Sequence, residues 1–270
     1  MPELAEVEFY RRIWNQGVGQ RVSKVDLHGD RRIFRGIDPD ELQRALTEAV
    51  LEETFRHGKQ MLFRFSRAWL GIHLGMTGEL RAEPHGFVAG KHDHLVLHLS
   101  KQALVFADPR LFGRVLFHPD RPAPKWWTEL PPALETMEFD LKLVTNALER
   151  RKKAPIKAVL LMQAIFPGVG NWMADEILWR SRIHPSTPSG TLSVTRAGEL
   201  FRETKAVAEA ALNTIATASG PDFGNPPDGW LFHERWGKTG TCPRCKTALS
   251  RDEIGGRTTA WCPKCQPAAF

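Results

Sequence analysis

The first 241 residues contain no cysteine; all four cysteines fall in the last 29 residues. A disulfide framework of the kind small secreted domains rely on is therefore excluded for most of the chain. No apolar run approaches the ~18 residues that a membrane span needs. The N-terminus, MPELAEVEFYRR, opens on acidic and amphipathic residues. It lacks a basic region followed by an apolar stretch, so it does not read as a secretory signal. No internal repeat is present. These absences predict a cytoplasmic, nucleoid-associated protein with reduced thiols, no signal peptide, no transmembrane segment and no membrane partner.

The cysteines that are present form two pairs, Cys242-x2-Cys245 and Cys262-x2-Cys265. Two C-x-x-C knuckles about 15–20 residues apart place four thiolates at the corners of a tetrahedron, the closed geometry of a structural zinc ion. Each knuckle repeats a Cys-Pro-basic-Cys pattern, CPRC and CPKC, and Gly255-Gly256 between them suits the turn of a two-stranded hairpin. Two disulfides or four buried thiols are the alternatives; the strict spacing and the cytosolic character of the rest favour one structural Zn2+. A small, basic, terminal finger suits a polyanion. The whole chain leans the same way, with 37 Lys+Arg against 31 Asp+Glu and a net charge of +6. A basic surplus alone is weak support, because many basic proteins bind no nucleic acid.

The 270 residues suffice for two cores. Residues 3–16 read as a helix, with Leu4, Val7 and Ile13-Trp14 at helical spacing and Gly17-Val18-Gly19 ending it. From 20 to 118 short β-like runs dominate: RVSKVDLH, QMLFRF, WLGIHL, HLVLHLS, ALVFAD and RVLFH. A helix at about 39–50 follows Asp38-Pro39. Such strands predict an antiparallel sandwich or barrel. Residues 119–138 are proline-rich and read as a linker; from 140 to 217 the pattern is helical. A long helix from Ser193 to Ala218 is capped by Ser193 and stopped by Gly220-Pro221.

Pro2 follows the initiator methionine. Removal of Met1 would expose a secondary amine, and an α-amino group with an ordinary pKa near ~8 is partly neutral and nucleophilic at pH 7. Its attack on a sugar C1′ gives an iminium that draws electrons and promotes loss of phosphate. Glu3 beside it could move protons. Read locally, Pro2 and Glu3 are simply a good helix start.

The company they keep changes that reading. MPELAEVE, HGKQ at 57–60, HLGMTG at 73–78, KHDH at 91–94, DPRLFG at 108–113, GVGNWMADEILWRSRIHP at 168–185 and the finger occur in one order in one chain. From residue 2 to Gln266 the chain resembles the formamidopyrimidine-DNA glycosylase family, which also contains endonuclease VIII. The resemblance implies an α+β protein of two domains. The N-terminal domain would be a helix-fronted antiparallel β-sandwich (1–118), followed by a linker (119–139). A helical helix-two-turn-helix domain (140–220), a shortened lesion-capping region (221–240) and a four-cysteine zinc-finger β-hairpin (241–270) would complete the chain, with DNA in a basic cleft.

It also implies roles for matching residues. Pro2 would be the Schiff-base nucleophile and Glu3 the general acid/base. Lys59 would hold phosphate near the lesion, as would Arg257, whose guanidinium grips phosphate bidentately. Met76, Arg110 and Phe112 would fill the space left by a flipped nucleotide. His73, His92, Lys157 and Asn171 would contact DNA, and Glu6 and Glu176 would lie at the lesion pocket. A His92-x-His94 metal site is not expected. The implied function is a bifunctional glycosylase/AP lyase of base-excision repair that acts as a monomer on double-stranded DNA with oxidised bases or abasic sites. Rival readings are an endonuclease VIII-type pyrimidine glycosylase, which Arg110 disfavours, and a non-catalytic damage-binding protein, which intact Pro2, Glu3 and Lys59 disfavour.

The chain departs from the family at three places. Ala5 replaces a second proline, and Leu111 replaces an arginine. The stretch SGPDFGNPPDGWLFHERWGKTG does not match the long loop that caps 8-oxoguanine. It is similar to plant and fungal members carrying WLFHxRWGK, which handle 8-oxoguanine poorly. That resemblance implies a preference for formamidopyrimidines and hydantoins.

Overall fold

Pro2 and Glu3 lead straight into the first helix of a computed structural model that describes residues 1–28, 31–218, 223–237 and 239–268. The chain divides into two units, Met1–Leu130 with Ala218–Phe223, and Pro131–Thr217 with Gly224–Phe270.

In the first unit, α1 (Leu4–Asn15) buries Leu4, Val7, Phe9 and Trp14. Eight strands follow: β1 (Val22–Leu27), β2 (Leu51–His57), β3 (Gln60–Phe65), β4 (Trp69–His73), β5 (Glu79–Pro84), β6 (Asp93–Leu99), β7 (Gln102–Ala107) and β8 (Arg114–His118). They form two four-stranded antiparallel sheets, ordered β1-β6-β7-β5 and β2-β3-β4-β8. One apolar core draws on both: Val25, Leu97, Leu104 and Phe106 from the first sheet, Met61, Phe63, Leu70 and Ile72 from the second. This is the expected helix-fronted sandwich. Trp14 of α1 packs on Phe63 with ring centroids 4.8 Å apart, which fixes where the N-terminus emerges.

Two strands are not legible as β-runs. β2 (LEETFRH) and β5 (ELRAEP) are each the outer strand of their sheet. Charged residues on an outer strand face water and discourage edge-to-edge association, which dilutes the alternating pattern. α2 (Pro39–Leu46), capped by Asp38, is shorter than expected. It stops because Glu48 takes φ +65° and donates its N–H to the Val22 carbonyl, returning the chain to the sheet. The proline-rich stretch is not wholly a linker: it contains α3 (Lys125–Thr128), and Trp126 fills the space over Gly71 of β4.

The second unit begins with α4 (Leu141–Arg150), whose Asp140 cap accepts from Leu143 N at 2.7 Å. α5 (Ile156–Leu160), α6 (Asn171–Arg180) and α7 (Val194–Thr214) follow, with Phe139 between Phe166 and Phe201 in the core. α6 buries all residues from Trp172 to Trp179, with the charged Asp175 and Glu176 among them, and so is a central helix of this unit. Ser193 caps α7 as anticipated, with its side chain accepting from Arg196 N. The helix ends at Thr214, four residues short of the predicted Ala218, and the predicted stop at Gly220-Pro221 lies outside the described residues. α8 (Leu231–Glu234) precedes the finger hairpin of β9 (Ser250–Ile254) and β10 (Arg257–Trp261). Among the described residues no helix is long and apolar enough to cross a membrane.

Candidate active site and nucleic-acid interface

The start of α1 is closed by a reciprocal capping box. The Glu3 side chain accepts from the Glu6 backbone, and the Glu6 carboxylate accepts from Glu3 N at 3.1 Å. Both carboxylates are nearly buried, at 3% and 6% exposure, while Pro2 is half-exposed. Buried acidic side chains satisfy the orphan N–H groups at the helix start, so the residue before them is held in one place. Further along α1, Glu8 binds Arg11, Arg12 and Arg56. Burial would raise its pKa, but the three arginines prevail and bring it down to about 2.

Lys59 lies in the two-residue turn that joins β2 to β3, where His57 pairs with Gln60 and Gly58 takes φ +55°. Gln60 in turn pairs with His73 of β4. The His73 ring is largely buried, and burial, followed by the charges of Lys59 and Arg35, lowers its pKa. Its Nδ1 accepts from Gly75 N at 3.1 Å, which leaves the N–H on Nε2. Lys59, His73 and Arg35 thus share one electropositive end of the sheet.

Met76, Arg110 and Phe112 come together on the same unit. Gly75 takes φ +65°, and any Cβ there would strike the Phe112–Gly113 backbone, so the two loops touch. Buried Asp108 shapes the second loop by accepting from Thr77 Oγ1 (2.8 Å), Arg110 N (3.2 Å) and Gly113 N (2.6 Å). Met76 and Phe112 are each 40% exposed. The Arg110 guanidinium lies over the Phe112 ring at 4.8 Å, with Arg32 at 5.3 Å. His92 is exposed and its carbonyl accepts from Asp108 N. His94 is buried against the Asp108 carbonyl (3.0 Å); the two histidines form no metal cluster among the described residues. Arg32 and Arg35, which no family motif singles out, join this surface. Their only signal in the sequence is the basic run RRIFR with an interleaved aromatic residue.

In the second unit the turn before α6 is braced from within. The Gln163 side chain donates to Val169 O (2.8 Å) and accepts from Gly168 N (3.1 Å), and Gly168 takes φ +96°. Gly170 caps α6, and the dipole of a helix start favours an anion. Asn171, expected on phosphate, directs one side-chain N–H to Thr258 O of the hairpin at 2.9 Å. Lys157, expected on DNA, is instead fully buried; its Nζ donates to Asn171 O (3.0 Å) and pairs with Asp175. Glu176, expected at a lesion pocket, is likewise enclosed. It binds Arg180 Nε at 2.8 Å and lies beside the backbone of Leu231 and Phe232. Burial raises its pKa despite the neighbouring guanidinium. Both are drawn inward because α6 is the centre of this unit.

The hairpin sits firmly on these helices. Gly255 and Gly256 take φ +64° and +72°, the conformation of the tightest hairpin turn. A Cβ at Gly255 would press on Ala158 of α5. Asp175 accepts from Ala260 N at 3.3 Å. Arg257, at the start of β10, is exposed.

The four cysteine sulfurs lie within 4.8 Å of one another, with close pairs at 3.4, 3.5 and 3.9 Å. A tetrahedral Zn–S bond of about 2.3 Å requires S···S edges of about 3.8 Å. The donor set fits one zinc ion and leaves no position for water. Trp179 Nε1 donates to Cys242 Sγ at 3.3 Å, and Gln266 bridges Cys262 N and Ile183 O. These bonds tie the finger to α6 and the segment after it.

Family models for the formamidopyrimidine-DNA glycosylase N-terminal domain, its H2TH domain and the zinc finger found in FPG and IleRS match residues 1–115, 130–220 and 241–268. A formamidopyrimidine-DNA glycosylase of Streptococcus pneumoniae serotype 4 is 35% identical over 275 residues, covering 98% of this chain and 99% of that protein. One from Geobacter sulfurreducens is 36% identical over 280 residues, covering 98% and 100%. The crystal structure of a Lactococcus lactis FPG variant with Fapy-dG-containing DNA superposes with a TM-score of 0.87 at 27% identity, covering 99% of this chain and 100% of that one. A MutM complex with carbocyclic 8-oxo-G DNA gives 0.86 at 29% identity, with the same coverage. The chain belongs to the formamidopyrimidine-DNA glycosylase family.

Proposed function

We infer that this protein is a bifunctional DNA glycosylase and AP lyase of base-excision repair. The observation that carries the reading is the buried Glu3–Glu6 capping box directly behind Pro2, which becomes the N-terminus once Met1 is removed. It supports a nucleophilic amine and a proton-transferring carboxylate one residue apart at the helix start.

The chemistry follows from these groups. With Met1 removed, the Pro2 amine attacks C1′ of the damaged nucleotide, and the bond from C1′ to the base breaks. Glu3 moves the proton that accompanies opening of the sugar ring. The resulting iminium acidifies C2′–H; its loss expels the 3′ phosphate, and a second elimination expels the 5′ phosphate. Water then releases Pro2. Lys59, a compact cation in a tight turn, stabilises phosphate as it departs. Met76 and Phe112 enter the stack and Arg110 meets the unpaired partner base. His73, His92 and Arg257 hold the backbone. Asn171 presents the turn before α6 to phosphate, and Lys157 supports that turn from beneath. Glu6 fixes Glu3, and Glu176 holds Arg180 beside the backbone of 231–232. The zinc ion is structural.

We read the substrate as double-stranded DNA with oxidised purines or abasic sites, met by a monomer on nucleoid DNA. Formamidopyrimidines and hydantoins should be preferred over 8-oxoguanine. The support is the short segment 224–237, which is bound to its own unit instead of forming a long cover. Arg235 pairs with Asp175, Glu234 O accepts from Arg251, and Arg180 lies over Trp230. Rapid 8-oxoguanine removal opposite cytosine would refute the preference.

The decisive experiment incubates untagged protein with abasic-site duplex and borohydride, then maps the adduct by mass spectrometry. An adduct on Pro2 is expected. Binding without an adduct would indicate a damage-binding protein, and an adduct on an internal lysine would overturn the mechanism.

A further inference from the structure

We propose that Trp236 is a stacking platform for a base drawn out of the duplex, held rigid by the buried pair of Arg235 and Asp175. The proposal rests on the glycosylase reading, because only an enzyme that extrudes a base presents an unstacked one to such a surface.

Of the nine tryptophans, eight are buried or half-buried. Trp236 alone is exposed, with 64% of its surface in solvent. Its ring is nevertheless fixed. The Arg235 guanidinium lies 4.3 Å over the indole centroid, and Phe232 meets it nearly at right angles at 5.5 Å. Arg235 is itself 7% exposed. Its Nη2 and Nε both donate to Asp175 Oδ2, at 2.6 and 3.1 Å. Asp175 cannot swing away, because it also pairs with Lys157 and accepts from Ala260 N. An ion pair buried in this way is costly to form. Here its visible consequence is to clamp one face of an exposed aromatic ring.

A ring already immobilised loses little conformational freedom when a second planar group stacks on it. Unpaired bases stack on aromatic side chains whatever their hydrogen-bonding edges, and arginine adds a cation–π contribution. The ligand is therefore a nucleobase recognised by its face. Such a contact discriminates between DNA with an extruded base and DNA with none.

The test compares single-turnover removal of a formamidopyrimidine base with strand cleavage at a preformed abasic site, in the full-length, zinc-loaded protein. The variants are Trp236→Ala, Trp236→Leu and Trp236→Phe. Base removal by the Ala and Leu variants should fall by roughly tenfold more than abasic-site cleavage, in keeping with the cost of losing one stacked base. Phe should recover most of the loss. Equal loss in both reactions, full activity of the Leu variant, or no change in any variant would each overturn the platform. A wild-type protein that cleaves neither substrate would overturn the glycosylase reading instead.

Discussion

The ammonium of Lys157 donates to the main-chain carbonyl of Asn171 at 3.0 Å, from a side chain with no exposed surface. A lysine in this position supports the turn before α6 from within. Replacing it with methionine would leave Asp175 paired with Arg235 but remove the support. Loss of one partner from a buried ionic group costs about 3 kcal/mol, so the thermal midpoint should fall by several degrees. DNA affinity should weaken for damaged and undamaged duplexes alike. The slope of log Kd against log salt separates support from direct contact. A lost phosphate contact lowers its magnitude by about 0.9, whereas a support residue leaves it nearly unchanged.

Zinc removal should act on DNA binding through the same region. Cys242 Sγ accepts from Trp179 of α6, and Gln266 links the second knuckle to Ile183. Without the metal, four sulfurs within 4.8 Å have no cation to hold them, and the hairpin that carries Arg257 loses its base. Structural zinc sites contribute folding free energy outright. We expect one zinc per chain by elemental analysis. Its removal by a chelator should lower affinity for abasic-site DNA at least tenfold, with recovery on adding zinc back.

The Glu8 cluster predicts an acid limb in stability. Its pKa is brought from 4.5 to about 2, so the unfolded chain binds a proton that the folded chain refuses. Stability from this group is therefore complete above about pH 4.5 and is lost as pH falls towards 2. The magnitude is on the order of 2–3 kcal/mol, from ~1.4 kcal/mol for each tenfold drop in proton affinity, less some solvent screening. Glu8→Gln should be less stable than the parent by about that amount at pH 6. The gap should close near pH 2. Denaturant melts of both proteins across that range would measure it, and a gap independent of pH would show that packing, not charge, sets the cost.

Much of this was legible in the sequence because the chemistry there is local. The cysteine spacing, the Gly255-Gly256 turn and the Ser193 cap each depend on a few neighbouring residues, and each stands where the pattern placed it. What the sequence hid is set by distant contacts. Nothing local marks β2 and β5 as strands, because their charges answer to an edge position that only the assembled sheets define. Nothing local shows that Lys157 and Glu176 point inward, since a lysine and a glutamate are by default exposed. Their partners, Asp175 and Arg180, lie on a helix whose centrality appears only when the unit is packed. Arg235 was invisible for the same reason: it meets Asp175 across 60 residues.

The exposed pair of Met76 and Phe112 yields the sharpest prediction about base opening. Both side chains stand 40% exposed on loops locked together by Gly75 and Asp108, an arrangement that leaves apolar surface in water when no DNA is bound. In the proposed mechanism that surface would be covered on entering the stack and would keep an extruded nucleotide from falling back. Unstacking and unpairing cost a few kcal/mol, so Phe112→Ala should lower kcat/KM for lesion removal by roughly ten- to a hundredfold. It should lower cleavage of an abasic site less, because that site has no base to return. Arg110, which lies over Phe112 at 4.8 Å, should respond differently: Arg110→Ala should flatten the dependence on the opposite base more than it lowers the rate on the best pair. Measuring both variants on one lesion opposite each of the four bases separates wedge from reader. Identical profiles for the two would mean that they act as one stacked unit.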